Sequence, residues 1–319
     1  MIPQRKSICD VPGIKVGHAQ NNVAKTGCTV ILPENGAVGG VDIRGSAPGT
    51  REIESLHPVR LVPKLNAILL SGGSAFGLDA SSGVQQFLEE KGIGFDVGVT
   101  KIPIVPAAVI FDLREGDYRI RPDKAMGYDA ASRAAKSHPE EGRVGAGRGA
   151  TVGKIIGQEY CMKGGIGTWS EKIGDITLGA LVVVNALGDI FKPMTNTKLA
   201  GAVNPETGKF YDTMQHLRKN PPKSFDPSTN TTLAVVATDA QLTKEQTIKL
   251  AQMAQDGLSR TIKPAHTPFD GDIVFALSVG DKKDVNITAL GAIAAELVAE
   301  SIVRAVEIAN ETVEKVKIK

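Results

Sequence analysis

The sequence predicts a layered α/β fold, because short β-rich runs alternate with helical runs along its 319 residues. Strands flanked by helices on both sides are typical of sandwich architectures, in which helices cover the faces of the sheets. After Asn230 the chain carries only two strands and two helices, and such strands need partners from the earlier part of the sequence. No internal repeat interrupts this pattern. We therefore expect residues 1–319 to form a single domain.

A strand and a helix are predicted on either side of a glycine turn. The run Ala67–Gly73, AILLSGG, is apolar and ends in two glycines, which indicates a strand that enters a tight turn. Residues 74–92 then show helical spacing of apolar positions and end at Gly92, a common helix terminator. The residues expected to face inward from this helix are Phe76, Leu78, Val84 and Leu88.

Two apolar segments further along the chain predict more strands. Lys101–Leu113 is rich in β-branched residues but contains two prolines, which cannot donate to a sheet ladder. We therefore expect an edge strand or an irregular strand there. Leu178–Ile190, LGALVVVNALGDI, predicts a central strand that runs into a turn.

The last third of the chain has a long irregular stretch followed by a clear pattern. Residues 204–230 lack periodicity and are rich in proline, asparagine and lysine, which predicts a long exposed loop. Thr243 and Gln246 form a capping-box pattern at the start of the next helix. The elements predicted after the loop are a strand at Thr231–Thr238, a helix at Lys244–Ile262, a strand at Asp272–Val279 and a helix at Ile287–Thr312.

Composition excludes several classes of function. The net charge of +2 and the aromatic content of 4% are not those of a nucleic-acid-binding protein. Cys9, Cys28 and Cys161 are odd in number and widely spaced, which indicates neither a disulfide framework nor a zinc site. The first residues lack the apolar core of a signal peptide, and no apolar stretch is long enough to cross a membrane. We expect a soluble, cytoplasmic protein without a nucleic-acid or membrane partner.

Two short motifs suggest cofactor or metal sites, but their context argues against both. Gly145–Ala150, GAGRGA, matches a loose dinucleotide-binding pattern but lacks the strand before it and the helix after it. His266, Asp270 and Asp272 could together bind a hard metal ion. A turn whose aspartates accept hydrogen bonds from backbone amides explains the same residues. We expect neither a cofactor nor a metal.

The run Ser228–Thr232 brings hydroxyl and amide side chains directly to the start of a buried strand. Such a run is either a polar loop that bonds its own backbone or a device that projects one hydroxyl rigidly from a strand end. Other polar residues at predicted strand ends or turns, each with an ordinary explanation when taken alone, are Lys154, Asn185, Asp270 and Asp272.

Three glycine-rich motifs indicate that these polar residues belong to one functional site. DIRGSAPGTRE (Asp42–Glu52), LLSGGSAFGLDA (Leu69–Ala80) and TNTTLAVVATDA (Thr229–Ala240) closely resemble the L-aminopeptidase/D-esterase family. This family includes β-peptidyl aminopeptidases and endo-type nylon-oligomer hydrolases, and the resemblance extends over nearly the whole chain. It implies a four-layer α/β/β/α sandwich, which is shared with ornithine acetyltransferases. It also implies the chemistry of N-terminal nucleophile hydrolases, in which the precursor cleaves itself once.

The resemblance places the cleaved bond at Asn230–Thr231, which would give chains 1–230 and 231–319. Thr231 would then supply both the nucleophilic hydroxyl and a free α-amine, whose pKa of about 7.7–8.0 suits a general base near neutral pH. By position in the family motifs, Lys154 would favour the developing oxyanion and Asn185 would donate its amide to the tetrahedral intermediate. Asp270 and Asp272 would orient the amine. The resemblance also implies a homo-oligomer, a tetramer of cleaved chain pairs.

The activity implied is hydrolysis of amide bonds in short peptides or amino-acid amides. The alternatives are hydrolysis of ω-amino acid oligomers of the nylon type and acyl transfer of the ornithine acetyltransferase type. Phe111 departs from the pattern, because several relatives have tyrosine there and phenylalanine cannot donate a hydrogen bond. That departure bears on the substrate and leaves the fold and the self-cleavage unaffected.

Overall fold

The computed structural model describes residues 6–220 and 230–317, and its main elements are two five-stranded sheets and five α-helices. The strands in chain order are β1 (Ile14–Asn21), β2 (Thr26–Pro33), β3 (Val38–Ile43), β4 (Thr50–Arg51), β5 (Ile68–Ser71), β6 (Phe95–Asp96), β7 (Lys101–Ile102), β8 (Ala107–Val109), β9 (Thr151–Val152), β10 (Met162–Lys163), β11 (Gly165–Ile173), β12 (Ile176–Asn185), β13 (Asp189–Lys192), β14 (Thr197–Ala200), β15 (Thr231–Ala240), β16 (Ile262–Lys263) and β17 (Ile273–Lys282). The helices are α1 (Ala80–Glu90), α2 (Lys124–Ser132), α3 (Thr213–Lys219), α4 (Lys244–Thr261) and α5 (Ile287–Lys317).

The two large sheets stack face to face, and helices cover their outer sides. The first sheet has the order β1-β2-β5-β8-β4 and the second has the order β11-β12-β15-β17-β3. Apolar residues of both sheets share one buried cluster between them. A second cluster joins the first sheet to α1 and α2, and a third joins the second sheet to α4 and α5. The expected α/β/β/α sandwich is therefore confirmed.

Strand β15 shows how the sequence produces these layers. Its residues alternate between the two clusters: Leu233 and Val235 point toward the first sheet, while Ala234 and Val236 point toward α4 and α5. Successive side chains of a strand point to opposite faces, so a strand buried on both faces is continuously apolar. Burying a side chain such as Leu233 contributes about 1.5–3 kcal/mol relative to leaving it exposed.

The register of the second sheet brings three strand ends to one edge. β15 runs antiparallel to β12, with Thr231 opposite Asn185, the last residue of β12. It runs parallel to β17, with Leu233 opposite Ile273, the first residue of β17. The polar residues that precede or end these strands therefore meet at the same edge of the sheet.

The strand and helix predictions for the last third of the chain are confirmed, including the Thr243–Gln246 capping box at α4. The exposed loop predicted for residues 204–230 is wrong in part, because Asp212 caps the helix α3 by accepting a hydrogen bond from the Gln215 amide. Residues 221–229, which include Ser228 and Thr229, lie outside the described residues.

Two predictions for the first half are corrected. The segment 74–92 begins with a 3₁₀ turn, Ser74–Asp79, so the helical spacing starts later than expected. Val84 and Leu88 are buried as predicted, whereas Phe76 is 60% exposed and lies under the guanidinium of Arg121.

The Lys101–Leu113 segment is irregular, as predicted: it supplies β7 to a two-stranded sheet with β6 and the short strand β8 to the first sheet. β8 lies inside the first sheet between β5 and β4. Pro103 and Pro106 both precede β8, so neither interrupts its ladder. In the described part of the chain, no helix is long and apolar enough to span a membrane.

Candidate active site

Thr231 begins β15 at the edge where the strand ends meet, and it is only 3% exposed. Asn230, the residue before it, is fully buried and forms a parallel bridge with Asp270. The backbone amide of Asn230 donates to the carbonyl oxygen of Phe269 at 2.9 Å. The peptide bond before Thr231 is therefore held rigidly inside the protein.

Two donors converge on the carbonyl oxygen of Asn230. The hydroxyl of Thr231 donates to it at 2.6 Å, and the backbone amide of Gly271 donates to it at 2.7 Å. Paired hydrogen bonds on one carbonyl oxygen polarise the group and favour negative charge on it. The Thr231 hydroxyl thus lies beside the carbonyl of the residue that precedes it, and the oxygen of that carbonyl accepts both hydrogen bonds.

Asn185 links Thr231 to Lys154. Its side-chain oxygen accepts hydrogen bonds from Lys154 Nζ at 2.7 Å and from the Thr151 amide at 3.1 Å. Lys154 Nζ also donates to the Asn185 carbonyl oxygen at 3.0 Å. The Asn185 amide nitrogen donates to the Phe111 carbonyl oxygen at 3.2 Å, which leaves its second N–H for another acceptor.

The ammonium of Lys154 lies in a poorly solvated position. Its burial lowers the pKa of Lys154 to about 8, because a charged group loses hydration when it leaves water. The neighbouring acidic groups, Cys161 first and then Asp270, Glu115 and Asp112, act in the opposite direction and favour the charged form. At neutral pH the site therefore has a cation next to the strand edge that carries Thr231.

Asp272 holds the second residue of β15. One of its carboxylate oxygens accepts from the Thr232 amide at 2.8 Å. The other accepts from the backbone amide of His266 at 3.0 Å and lies 2.9 Å from His266 Nδ1. Both oxygens of this buried carboxylate are thus engaged, and its orientation is determined by its partners.

Asp270 has a different environment. One carboxylate oxygen accepts from the Thr267 amide at 2.8 Å and from the Thr267 hydroxyl at 2.6 Å. Burial and, after it, the nearby charge of Asp272 raise the pKa of Asp270 to about 6, although the hydrogen bonds from Thr267 and the charge of Lys154 act in the opposite direction.

Backbone from the glycine-rich motif DIRGSAPGTRE packs against the backbone of these two aspartates. The amides of Arg44 and Ala47 donate to the carbonyl oxygens of Asp272 and Asp270 at 3.0 and 2.9 Å. Between them Gly45 comes so close that a Cβ atom there would lie 2.1 Å from the Asp270 carbonyl oxygen. Only glycine permits this approach, which explains why Gly45 is the fourth residue of DIRGSAPG.

A narrow cleft opens beside Lys154, and sequence reasoning did not assign several of its residues. Asp112 accepts from the Gly73 amide and the Thr26 hydroxyl, both at 2.7 Å, and burial raises the pKa of its carboxyl to about 6. Glu115 pairs with Lys163 at 2.6 Å. The residues lining this cleft are Phe111, Asp112, Arg114, Glu115, Thr151, Lys154 and Gln158.

The structure brings all five predicted site residues, Thr231, Lys154, Asn185, Asp270 and Asp272, to one edge of the second sheet. Asp112 comes directly after the apolar run that contains β8, and that position in VIFD was the signal that could have identified it. Among the described residues there is no group of three or more His, Cys, Asp or Glu side chains arranged to hold a metal ion.

A family model described as peptidase family S58 matches residues 6–318 of the chain. The chain belongs to peptidase family S58. An uncharacterized aminopeptidase of Mycobacterium bovis is 40% identical to it over 331 residues, covering 94% of this chain and 93% of that protein. A 6-aminohexanoate-oligomer endohydrolase of Agromyces sp. is 30% identical over 312 residues, covering 93% of this chain and 84% of that protein.

Membership of family S58 makes the chain a peptidase and confirms the resemblance found in its motifs. The fold is similar to that of the L-aminopeptidase D-Ala-esterase/amidase from Ochrobactrum anthropi, a variant of the Ntn hydrolase fold. The two structures superpose with a TM-score of 0.70 at 21% identity, covering 94% of this chain and 85% of that one. The S58 member described here therefore has the layered fold of an Ntn hydrolase.

Proposed function

We propose that this S58 peptidase is a self-processing threonine hydrolase that cleaves its own Asn230–Thr231 bond and then hydrolyses amide substrates with Thr231. One observation carries the proposal: the Thr231 hydroxyl and the Gly271 amide both donate to the Asn230 carbonyl oxygen, at 2.6 and 2.7 Å. The Gly271 bond belongs to the parallel bridge between Asn230 and Asp270, and the Thr231 hydroxyl adds a second donor to the same carbonyl oxygen.

Self-cleavage would proceed by an acyl shift from nitrogen to oxygen. Thr231 Oγ1 attacks the Asn230 carbonyl carbon, and the Gly271 amide stabilises the negative charge that develops on the oxygen. The carbon–nitrogen bond then breaks, the nitrogen takes the proton released by the hydroxyl, and Asn230 is left as an ester on Thr231. Water hydrolyses this ester, so that Asn230 ends one chain as a carboxylate and Thr231 begins the other with a free amine.

In the mature enzyme the same threonine would act on substrate. Its amine removes the proton from its own hydroxyl, the oxygen attacks the substrate carbonyl, and the amine returns the proton to the leaving nitrogen. The Lys154 ammonium and the unused N–H of Asn185 stabilise the tetrahedral intermediate, while Asp270 balances the charge of the protonated amine. Water then releases the acyl group as an acid.

The intact mass of the purified protein under denaturing conditions tests this proposal. We expect two chains, residues 1–230 and a small chain that begins at Thr231, in place of one chain of 33.6 kDa. N-terminal sequencing of the small chain identifies the cleaved bond. A single uncut chain that nevertheless hydrolyses amides would contradict the proposal.

Replacing Gly271 by alanine is expected to block self-cleavage. A Cβ atom at this position would lie 2.8 Å from Thr231 Oγ1 and 2.7 Å from the Ala47 carbonyl oxygen, so the hydroxyl or the backbone must move. Overpacking of this kind costs about 1–3 kcal/mol, which should also lower the midpoint of denaturant unfolding. The fraction of uncut chain, followed by mass over time, measures the effect. Cleavage of Gly271→Ala at the wild-type rate would show that the Thr231–Gly271 geometry is not required.

For the substrate, we propose amide bonds of short peptides or amino-acid amides. The 40% identity with a protein named an aminopeptidase supports this class. A second candidate is a 6-aminohexanoate oligomer, which is supported by the similarity to the Agromyces hydrolase. A panel of alanine p-nitroanilide, a β-alanyl dipeptide and a 6-aminohexanoate oligomer separates the two by kcat/KM. Adding an amine acceptor to each reaction detects acyl transfer, since a transferase would form the new amide faster than the free acid.

We also propose that the cleaved protein works in the cytoplasm as a homo-oligomer. Exposed apolar side chains that neighbour one another support an interface between copies: Val59 with Leu61, and Val97 with Val99 at the turn between β6 and β7. Light scattering of the cleaved protein in solution measures its mass and decides between a single chain pair and a larger assembly.

A further inference from the structure

His266 has a backbone conformation that is uncommon for residues other than glycine. Its φ is +56°, in the left-handed region that non-glycine residues other than Asn, Asp and His seldom adopt. A residue held there costs of the order of 1–3 kcal/mol, and such conformations are concentrated at functional sites. Glycine would fit this position without that cost, so the presence of a histidine points to a use for its side chain.

The side chain of His266 is directed to the same oxygen as its backbone amide. The Nδ1 atom lies 2.9 Å from Asp272 Oδ2, and the backbone amide donates to that oxygen at 3.0 Å. For Nδ1 to donate, the neutral ring must carry its proton there. The Nε2 atom is buried and has no hydrogen-bond partner within the described residues. Asp272 is therefore the polar group to which this ring is anchored.

The opposite oxygen of the same carboxylate holds Thr232. Asp272 Oδ1 accepts from the Thr232 amide at 2.8 Å, one residue after the proposed nucleophile. Asp272 thus bridges His266 and the start of β15. Because both donors of His266 fix Oδ2, they also determine where Oδ1 points, and hence where the amide of Thr232 is held.

The importance of this bridge would change when the chain is cut. Before cleavage, Thr231 is also held from its N-terminal side, because Asn230 bonds Phe269 and Gly271 through its backbone. After cleavage these contacts no longer restrain Thr231, which becomes a chain end. The Asp272–Thr232 bond is then the anchor nearest to the nucleophile on the chain that follows it.

We propose that His266 is a positioning residue that, through Asp272, holds the new N-terminal Thr231 in its reactive geometry after cleavage. This inference rests on the proposed function of Thr231. It explains why a strained histidine, and not a glycine, stands at this position. It also separates two roles that share one site: the Asn230 contacts serve self-cleavage, and the His266–Asp272 pair serves turnover.

Three variants test the proposal. His266→Ala removes the imidazole, His266→Gly removes it while relieving the backbone strain, and His266→Asn keeps a side-chain N–H donor in a residue that tolerates positive φ. The measurements are the extent of self-cleavage by intact mass, and kcat and KM on the panel substrate that the wild type hydrolyses fastest. Because misplacing a reacting group by about 1 Å can cost 10²-fold in rate, we expect kcat to fall about 10- to 100-fold in the Ala and Gly variants.

We expect KM to change by less than about threefold, since substrate binding itself is not removed. Self-cleavage should still go to completion in all three variants, and His266→Asn should recover most of the lost kcat. A kcat of His266→Gly equal to that of the wild type would overturn the proposal. A kcat of His266→Asn no higher than that of His266→Gly would also overturn it. If His266→Ala fails to fold, the Gly and Asn variants decide, because both suit the backbone. An uncut wild type would overturn the proposed function itself, whereas a cut wild type with an unaffected Gly variant would overturn only the role of His266.

Discussion

Replacing Thr231 by valine is expected to leave the chain uncut and to abolish hydrolysis. Valine has nearly the shape of threonine, so the packing at the start of β15 is retained while the hydroxyl that donates to the Asn230 carbonyl oxygen is lost. Removing a nucleophile that acts together with its base typically costs about 10⁴- to 10⁶-fold in kcat. Intact mass measures the cleavage, and hydrolysis of the substrate panel measures the activity.

Thr232 provides a matched control in the next position. Its hydroxyl is buried and has no hydrogen-bond partner in the described part of the chain, and its contact with Asp272 is made by the backbone amide. Thr232→Val should therefore be cut and active, because replacing an unpaired hydroxyl by a methyl group is nearly neutral. Thr231→Ser, which keeps the hydroxyl, should also be cut. If Thr231→Val is cleaved before position 231, another group is the nucleophile and the proposed function is wrong.

Replacing Lys154 by methionine should give the second largest effect. Methionine fills a similar volume but removes the ammonium that donates to both oxygens of Asn185. Loss of one charged or hydrogen-bonding group at an oxyanion commonly costs about 10²- to 10³-fold in kcat. Lys163→Met is the matched control, because it removes a cation that pairs with Glu115 at the same cleft and leaves the Lys154–Asn185 contacts in place. A similar loss in both variants would mean that only the total charge of the cleft matters.

The pH profile of the Lys154 variant gives an independent check. Burial lowers the pKa of Lys154 to about 8, so the wild type loses this cation as the pH rises through that value. The Thr231 amine acts as a base only when it is unprotonated, which makes the rate rise toward its own pKa of about 7.7–8.0. We expect the rate of the wild type to show a narrow bell-shaped dependence on pH. In Lys154→Met we expect a low rate that rises with pH and then stays level. A falling alkaline limb in both proteins would assign that limb to another group.

Local sequence patterns predicted where the strands and helices of this fold lie better than they predicted which strands pair with each other. The capping box of α4 and the apolar run of β15 depend on neighbours in the sequence, and both are confirmed. The position of β8 inside its sheet depends on β4 and β5, which are distant in sequence, so the two prolines before β8 gave no signal of that position. Phe76 was misplaced because a 3₁₀ turn has a different period from the α-helix that follows it.

In the candidate site, too, the sequence indicated features that depend on local position and missed those that depend on tertiary packing. Thr231, Asn185 and Asp272 stand at strand ends, where the sequence already indicated them, and the family motifs supplied their roles. Nothing in the spacing of HTPFDGD showed that His266 has a positive φ and contacts Asp272 twice. That contact depends on how the loop before β17 folds back on itself, and tertiary packing of this kind leaves no periodic signal in the sequence.

The strand order of the second sheet, β11-β12-β15-β17-β3, affects how the cleaved protein could refold after denaturation. Cleavage before Thr231 would place β15 and β17 on the small chain, between β12 and β3 of the large chain, so two separate polypeptides would share one continuous ladder. The precursor folds as one molecule, but a denatured mature enzyme would have to reassemble from two, at a rate that depends on concentration. Loss of the folded state would then be close to irreversible, and the lifetime of the enzyme would be governed by its unfolding rate and not by an equilibrium.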